Sequence, residues 1–137
     1  MGFLSSALVA IFNITASNSV TDCSAGKSVF TFVSGSLTPD PVVPGQNAAL
    51  TLNLILPPGT NVDAGTAKYS LSFNGIPFTP TTEDLCSDVA CPLLEGPYIN
   101  TTNSVFPTGL SGKIVTKIEW LDESGTQLLC TSVTTRV

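Results

Sequence analysis

Alternation of apolar and polar residues marks most of the chain as β-strand. The clearest case lies between Leu50 and Leu56, where every second residue is leucine and Thr51 and Asn53 occupy two of the positions between. This period of two is typical of a strand with one buried face. Similar patterns predict four further strands, at residues 28–37, 67–73, 112–120 and 127–136. The Thr/Asn-rich segment that runs from Tyr98 to Val105-Phe106-Pro107 is expected to be strand followed by loop.

Turn residues separate these segments. Asn74-Gly75 is a strong signal for a two-residue hairpin, and Pro57-Pro58-Gly59 is expected to end the leucine-rich strand. Pro77 restricts the short segment 76–78 to an edge or bulged strand, because proline cannot donate to a sheet ladder. No window shows a helical period with caps. About seven short strands with glycine and proline between them predict an all-β, immunoglobulin-like sandwich of two sheets.

The four cysteines allow three disulfide pairings. We favour Cys23 with Cys130, which would join the two ends of the domain, and Cys86 with Cys91, which would close a small polar loop before Pro92. The alternatives would leave two neighbours in one tight loop, each reaching across the domain. Neither favoured pair would join the two sheets through their centre.

The first 17 residues are uncharged, apolar in the middle and followed by small residues around Ala16–Ser19. Although they carry no Lys or Arg, this pattern predicts a signal peptide over residues 1–17 and a single domain over residues 18–137. A buried first element and a membrane anchor are the alternatives. The anchor is disfavoured because Asn13 interrupts a run already shorter than the roughly 20 residues that span a bilayer. The chain is therefore expected to be secreted or to lie in the lumen of a lysosome or vacuole.

Charge and composition argue against several classes of function. The net charge of −5 argues against a nucleic-acid partner, which would need a basic face. The chain has no histidine, so it lacks the usual general base and the usual metal ligand. With four paired cysteines no thiol would be free to act as a nucleophile. We therefore predict that the protein is not an enzyme and uses no cofactor.

Two local patterns suggest further sites. Glu83, Asp84 and Asp88 could offer carboxylate oxygens to calcium, but a solvated acidic loop is the interpretation that we favour, and we predict no metal site. Asn100-Thr101-Thr102 is a sequon for N-glycosylation in a predicted loop.

Short motifs along residues 22–133 carry a family resemblance. They are Asp22-Cys23, Leu37-Thr38-Pro39-Asp40-Pro41 with Pro44-Gly45, Asp84-Leu85-Cys86, Cys91-Pro92-Leu93 with Gly96, and Glu119-Trp120 with Cys130. In this order and spacing they resemble the ML lipid-recognition domains, which include the Niemann-Pick type C sterol-transfer protein and fungal phosphatidylglycerol/phosphatidylinositol transfer proteins. The sterol-transfer branch has a further disulfide near residues 38–45, where this chain has no cysteine, and the Thr-Pro-Asp-Pro sequence is closer to the fungal and plant-type members.

The resemblance implies two splayed sheets with an apolar cavity between them, which holds a sterol or a phospholipid. It also implies transient contact with membranes and a receptor or acceptor protein as partner. Tyr98 and Lys113 are the expected polar rim. The expected cavity walls are Phe30, Phe32, Leu52, Leu54, Tyr69, Leu71, Phe73, Phe78, Leu93, Tyr98, Phe106, Ile118 and Trp120.

The alternative function is an extracellular interaction or structural module without a transported ligand. In the innate-immune co-receptor of the same family, the bound lipid completes a protein interface. In a purely structural module the same apolar ladders would pack against each other and fill the core.

Overall fold

The computed structural model describes residues 18–137, and the predicted signal peptide lies outside them. The described chain folds into nine strands and one short helix. Within it no helix is long and apolar enough to cross a membrane. The elements are β1 (Ser19–Asp22), β2 (Thr31–Thr38), β3 (Asn47–Val62), β4 (Gly65–Phe73), β5 (Ile76–Pro77), β6 (Thr81–Asp84), α1 (Leu85–Asp88), β7 (Leu93–Val105), β8 (Lys113–Asp122) and β9 (Gln127–Arg136).

The strands form two antiparallel sheets, which confirms the predicted all-β sandwich. Sheet A has the order β1-β9-β8-β4-β5, and β6 also pairs with β4. Sheet B has the order β2-β3-β7. Residues directly before β7 therefore carry the chain from one sheet to the other, and β7 is an edge strand.

Strand β3 is longer than predicted, because Pro57-Pro58-Gly59 does not end it. The ladder with β7 is interrupted between Leu56 and Asn61 and then resumes, with Val62 opposite Leu93. The two prolines lie in the interruption, where a missing N–H breaks no ladder bond. By contrast, the predicted Asn74-Gly75 turn is confirmed, since both residues have positive φ and they join β4 to β5.

Two short strands were not predicted. Strands β1 and β6 have four residues each, which is too short for alternation to be read. Strand β1 joins β9 in sheet A while Val20 also lies against Gly35 of sheet B. A Cβ atom at Gly35 would lie 2.4 Å from Val20 Cγ1, so the glycine allows this close approach.

Both predicted disulfides are confirmed. Cys23, which follows β1, is bonded to Cys130 in β9, and both belong to the sheet A side. Cys86 is bonded to Cys91 across the loop that contains α1 and leads into β7. Neither bond crosses the space between the sheets at its centre.

Large apolar side chains fill one end of the sandwich, which we call the packed end. None of the seven residues that define it is more than 3% exposed, and all belong to one hydrophobic cluster. Such burial is the main favourable contribution to folding. These residues are Phe30, Leu54, Leu56, Leu85, Leu93, Trp120 and Leu129.

The two disulfides are expected to differ in their contribution to stability. Cys23 and Cys130 are 107 residues apart, whereas Cys86 and Cys91 are 5 apart. In the chain-entropy model the double variant C23S/C130S should lower the free energy of unfolding by about 4 to 5 kcal/mol, and C86S/C91S by about 2 kcal/mol. Urea denaturation measures both. Equal losses would contradict the entropic explanation.

Candidate functional site

The inward-facing ladders change character along the sandwich. On β3, Leu54 and Leu56 belong to the packed end, whereas Leu50 is only half-buried and lines a cavity. On β4, Ala67 is fully buried, whereas Phe73 at the other end is half-buried and also lines a cavity. The sheets therefore pack tightly at one end. At the other, which we call the open end, space remains between them beside buried residues such as Ala48 and Ile114.

An apolar compartment of about 390 Å³ lies at the open end. Among its ten lining residues only Ser104 and Thr116 are polar. Its volume is within the roughly 300 to 1,000 Å³ that is typical of small-molecule sites. The others are Leu71, Phe73, Phe78, Val105, Phe106, Pro107, Leu110 and Ile114.

A polar compartment of about 600 Å³ adjoins it and shares Ser104, Phe106 and Thr116 with it. Hydroxyl, amide and carboxylate groups contribute much of its lining. The remaining lining residues are Leu37, Leu50, Tyr69, Glu83, Ser87, Asp88, Thr101, Thr102, Asn103, Ile118 and Val133.

A third space of about 30 Å³, the deep compartment, continues toward the packed end. Asn100 lines it together with Leu52 and Trp120. It shares Tyr69 and Ile118, among other residues, with the polar compartment. It is less than a tenth as large as either of the other two compartments, which indicates that the two sheets approach each other here.

Strand β7 turns a stripe of polar residues toward these compartments. Asn100 and Thr102 line the deep compartment, and Ser104 lines both larger ones. Polar side chains are costly in a solid apolar core unless they are hydrogen-bonded. An inward polar stripe is therefore consistent with a cavity and unfavourable for a filled sandwich. Alternate residues from Tyr98 to Phe106 carry this signal in the sequence, where a Thr/Asn-rich segment was read as strand followed by loop.

Tyr69, Asp88 and Glu83 lie together in the lining of the polar compartment. The Tyr69 hydroxyl donates to Asp88 Oδ2 at 2.6 Å. Glu83 is opposite Ala67 in the β6–β4 ladder, and its carboxyl lies near enough to that of Asp88 for the two to interact electrostatically. Fully buried Leu85 fixes α1, which carries Asp88, against the core.

The surroundings of Tyr69 and Glu83 raise the pKa of each group. A hydrogen bond that only the protonated Glu83 carboxyl can donate to Asp88, together with the negative charge of Asp88, raises the pKa of Glu83 above its usual value. Burial raises the pKa of Tyr69 strongly, and the Asp88 carboxylate raises it further. Tyr69 therefore stays a neutral hydrogen-bond donor at neutral pH.

The third acidic residue of this segment has a structural role. Asp84 caps α1, where its carboxylate accepts a hydrogen bond from the Cys86 N–H at 3.4 Å. Between residues 18 and 137, no group of three or more His, Cys, Asp or Glu side chains is placed to hold a metal ion.

Eight of the thirteen expected wall residues line the three compartments: Leu52, Tyr69, Leu71, Phe73, Phe78, Phe106, Ile118 and Trp120. The other five line none of them. Phe30, Leu54 and Leu93 lie in the packed end, and Phe32 and Tyr98 are half-buried against the core. Periodicity identified the inward face of these strands, but it does not say where along a strand the sheets separate.

Other positions also differ from expectation. Tyr98 and Lys113, the expected rim, line none of the three compartments. Asn100 lies in β7 opposite Leu52 and not in a loop, because the polar segment around it completes the ladder with β3. Leu110, in the loop between β7 and β8, lines the apolar compartment and was missed because loop residues have no periodicity.

Comparison with known proteins agrees with the family resemblance in the sequence and with the two-sheet fold. The chain matches the model of the ML domain over residues 17–137. The crystal structure of a Niemann-Pick type C2 protein from the Japanese carpenter ant is 17% identical, with a TM-score of 0.64, and the match covers 85% of this chain and 96% of that one. Chicken MD-1 complexed with lipid IVa is 15% identical, with a TM-score of 0.63 and coverage of 85% and 86%. At these identities the structures show a shared fold. No curated protein sequence matches the chain.

Matched leucine substitutions should distinguish the two ends of the sandwich. Leu54→Ala removes a side chain that is 2% exposed in the packed end, and we expect a loss of about 2 to 5 kcal/mol in the free energy of unfolding because a closed void remains. Leu71→Ala enlarges an existing cavity at a half-buried position and should cost about 1 kcal/mol. Urea denaturation measures both, and equal losses would mean that the open end is as tightly packed as the other.

Proposed function

Because the chain belongs to the ML-domain family, we propose that it is a non-enzymatic lipid carrier that holds a sterol or a phospholipid between its two sheets. The observation that carries this proposal is the amphipathic space at the open end, where an apolar compartment adjoins a polar one. The lipid tail occupies the apolar compartment, and the head group lies against the polar one.

The driving force is removal of the tail from water. Burial contributes about 0.8 kcal/mol per methylene group, and eight apolar residues line the apolar compartment. Hydroxyl groups such as those of Thr102 and Ser104 orient the head group by hydrogen bonding, as is usual in ligand sites with a few polar groups.

Loading requires contact with a membrane, and the mouth of the apolar compartment is suited to it. Phe78, Val105 and Leu110 line this compartment and are 52%, 61% and 40% exposed. Ile76, two residues before Phe78, is 64% exposed. Exposed apolar groups around a cavity mouth are typical of interaction sites, and here they allow a lipid to pass between bilayer and cavity without crossing water.

The protein works in the secretory route, either secreted or in the lumen of a lysosome or vacuole. The two disulfides support this location, as does the predicted signal peptide. N-glycosylation of Asn100 is part of the proposal, although a glycan there must leave through the open edge of β7 because the side chain lines the deep compartment. A receptor or acceptor protein receives the lipid.

Blocking the cavity should abolish lipid loading without unfolding the protein. Thr116 lines both larger compartments, so Thr116→Phe would fill the passage between them with a ring that has room to enter. We expect native mass spectrometry to find a stoichiometric lipid on the wild-type protein and about tenfold less on this variant.

The matched control is Lys117→Phe, which adds the same ring next to Thr116 at an exposed position and should load normally. Wild-type protein that is empty after purification and takes up no lipid from vesicles would refute the carrier function and favour an interaction or structural module.

Membrane contact can be tested separately from binding. Ile76→Asp places a charge beside the mouth at a residue outside the three compartments. It should slow lipid transfer between vesicles about tenfold or more while leaving the affinity for lipid in solution unchanged, because a charge is costly at an apolar interface. Ile99→Asp, at an equally exposed residue of β7 (65%), is the control. Equal transfer rates for both variants would contradict the assigned mouth.

A further inference from the structure

We propose that Glu83 and Asp88 make the cavity selective for lipids whose head group carries no net negative charge. This inference rests on the proposed function and names the ligand class of the same site. It follows from the composition of the whole cavity: the apolar compartment fixes where the tail lies, and the lining of the polar compartment then decides which head groups fit.

The difference in polarity between the apolar and the polar compartment sets the orientation of the ligand. Only Ser104 and Thr116 offer polar groups in the apolar compartment, and they lie at its boundary with the polar one. A head group placed at the apolar end would lose its hydration without gaining hydrogen bonds. It must therefore lie in the polar compartment, near Tyr69, Glu83 and Asp88.

The charges at that position have one sign. Glu83 and Asp88 are the charged residues of the polar compartment, and none of the five lysines and arginines of the chain lines any of the three compartments. A phosphate or carboxylate head group would thus approach carboxylates without a compensating cation. Like charges brought together across an interface repel each other, and this repulsion disfavours an anionic head group relative to a neutral one.

The hydrogen-bonding capacity of Glu83 and Asp88 also favours head groups without a net negative charge. An ionised carboxylate only accepts hydrogen bonds, and the Tyr69 hydroxyl donates to Asp88 rather than to the cavity. Head groups that donate, such as hydroxyl or ammonium groups, therefore have partners here. The hydroxyls of Thr102 and Ser104 remain for ester or ether oxygens, whereas that of Thr101 is hydrogen-bonded to Thr51.

Four ligands with the same tail and different head groups test this selectivity. Displacement of a fluorescent lipid at neutral pH and low salt gives the affinities of dodecanol, dodecylamine, dodecanoate and dodecyl phosphate. We expect the two anionic ligands to bind about tenfold or more weakly than the alcohol and the amine, and the difference to shrink at high salt because exposed charges are screened.

Single-residue variants test whether Glu83 and Asp88 cause this head-group selectivity. Glu83→Gln, at an exposed position of β6, and Asp88→Asn should each improve binding of the anionic ligands at least about threefold relative to dodecanol. Glu123→Gln, an exposed change in the β8–β9 hairpin, should leave all four affinities unchanged. Circular dichroism verifies that each variant is folded.

The outcomes separate this inference from the function on which it rests. Failure of all four ligands to bind, with failure to take up lipid from vesicles, would overturn the carrier function itself. Anionic ligands that bind as tightly as dodecanol would overturn the selectivity and leave the carrier function intact. A head-group preference that neither variant changes would overturn the role of Glu83 and Asp88.

Discussion

Hydrophobic packing at one end of the sandwich is the interaction on which the rest of the structure depends. There the ladders of the two sheets meet around residues such as Phe30, Leu54 and Trp120, which are at most 3% exposed. Both disulfides lie at this end as well, since Cys86 directly follows Leu85 and Cys130 directly follows Leu129. With the sheets joined here, the other end does not have to be filled for the domain to fold. The cavity is thus compatible with stability because cohesion and binding are placed at different ends of the same strands.

The polar residues on the inward face of β7 are compatible with a cavity but would be costly in a filled core. In a solid core, the side chains of Asn100, Thr102 and Ser104 would need hydrogen-bond partners or would destabilise the fold. Lining an open space, they keep access to water or to a ligand. The same residues would be disfavoured by a sheet that closed completely, so they act against collapse of the two sheets onto each other. Leucine on β3 and polar residues on β7, neighbours in sheet B, thereby give the sandwich an asymmetric interior.

Much of this architecture follows from the sequence. Alternation identified the main strands and their inward faces, the Asn74-Gly75 turn has the expected positive φ values, and the cysteine spacing led to the correct pairing. Strands β1 and β6 were missed because four residues are too few to show a period, and β3 continues past Pro57 because the ladder is interrupted there. The candidate site was predicted only in part, and the cause of the misses there is different. Leu54 and Leu50 have the same character and face the same way, yet one lies in the packed end and the other lines the cavity, a distinction that depends on the separation of the sheets and leaves no local trace.

The placement of the covalent links gives the domain a mechanical asymmetry. All four cysteines are used near the packed end, so no covalent bond limits the distance between the sheets at the mouth. The separation of the sheets at the open end is therefore set by noncovalent contacts, such as the hydrogen bonds by which the Asn18 side chain joins the carbonyl oxygens of Leu37 and Pro39 on the sheet B side to the Thr135 hydroxyl of sheet A.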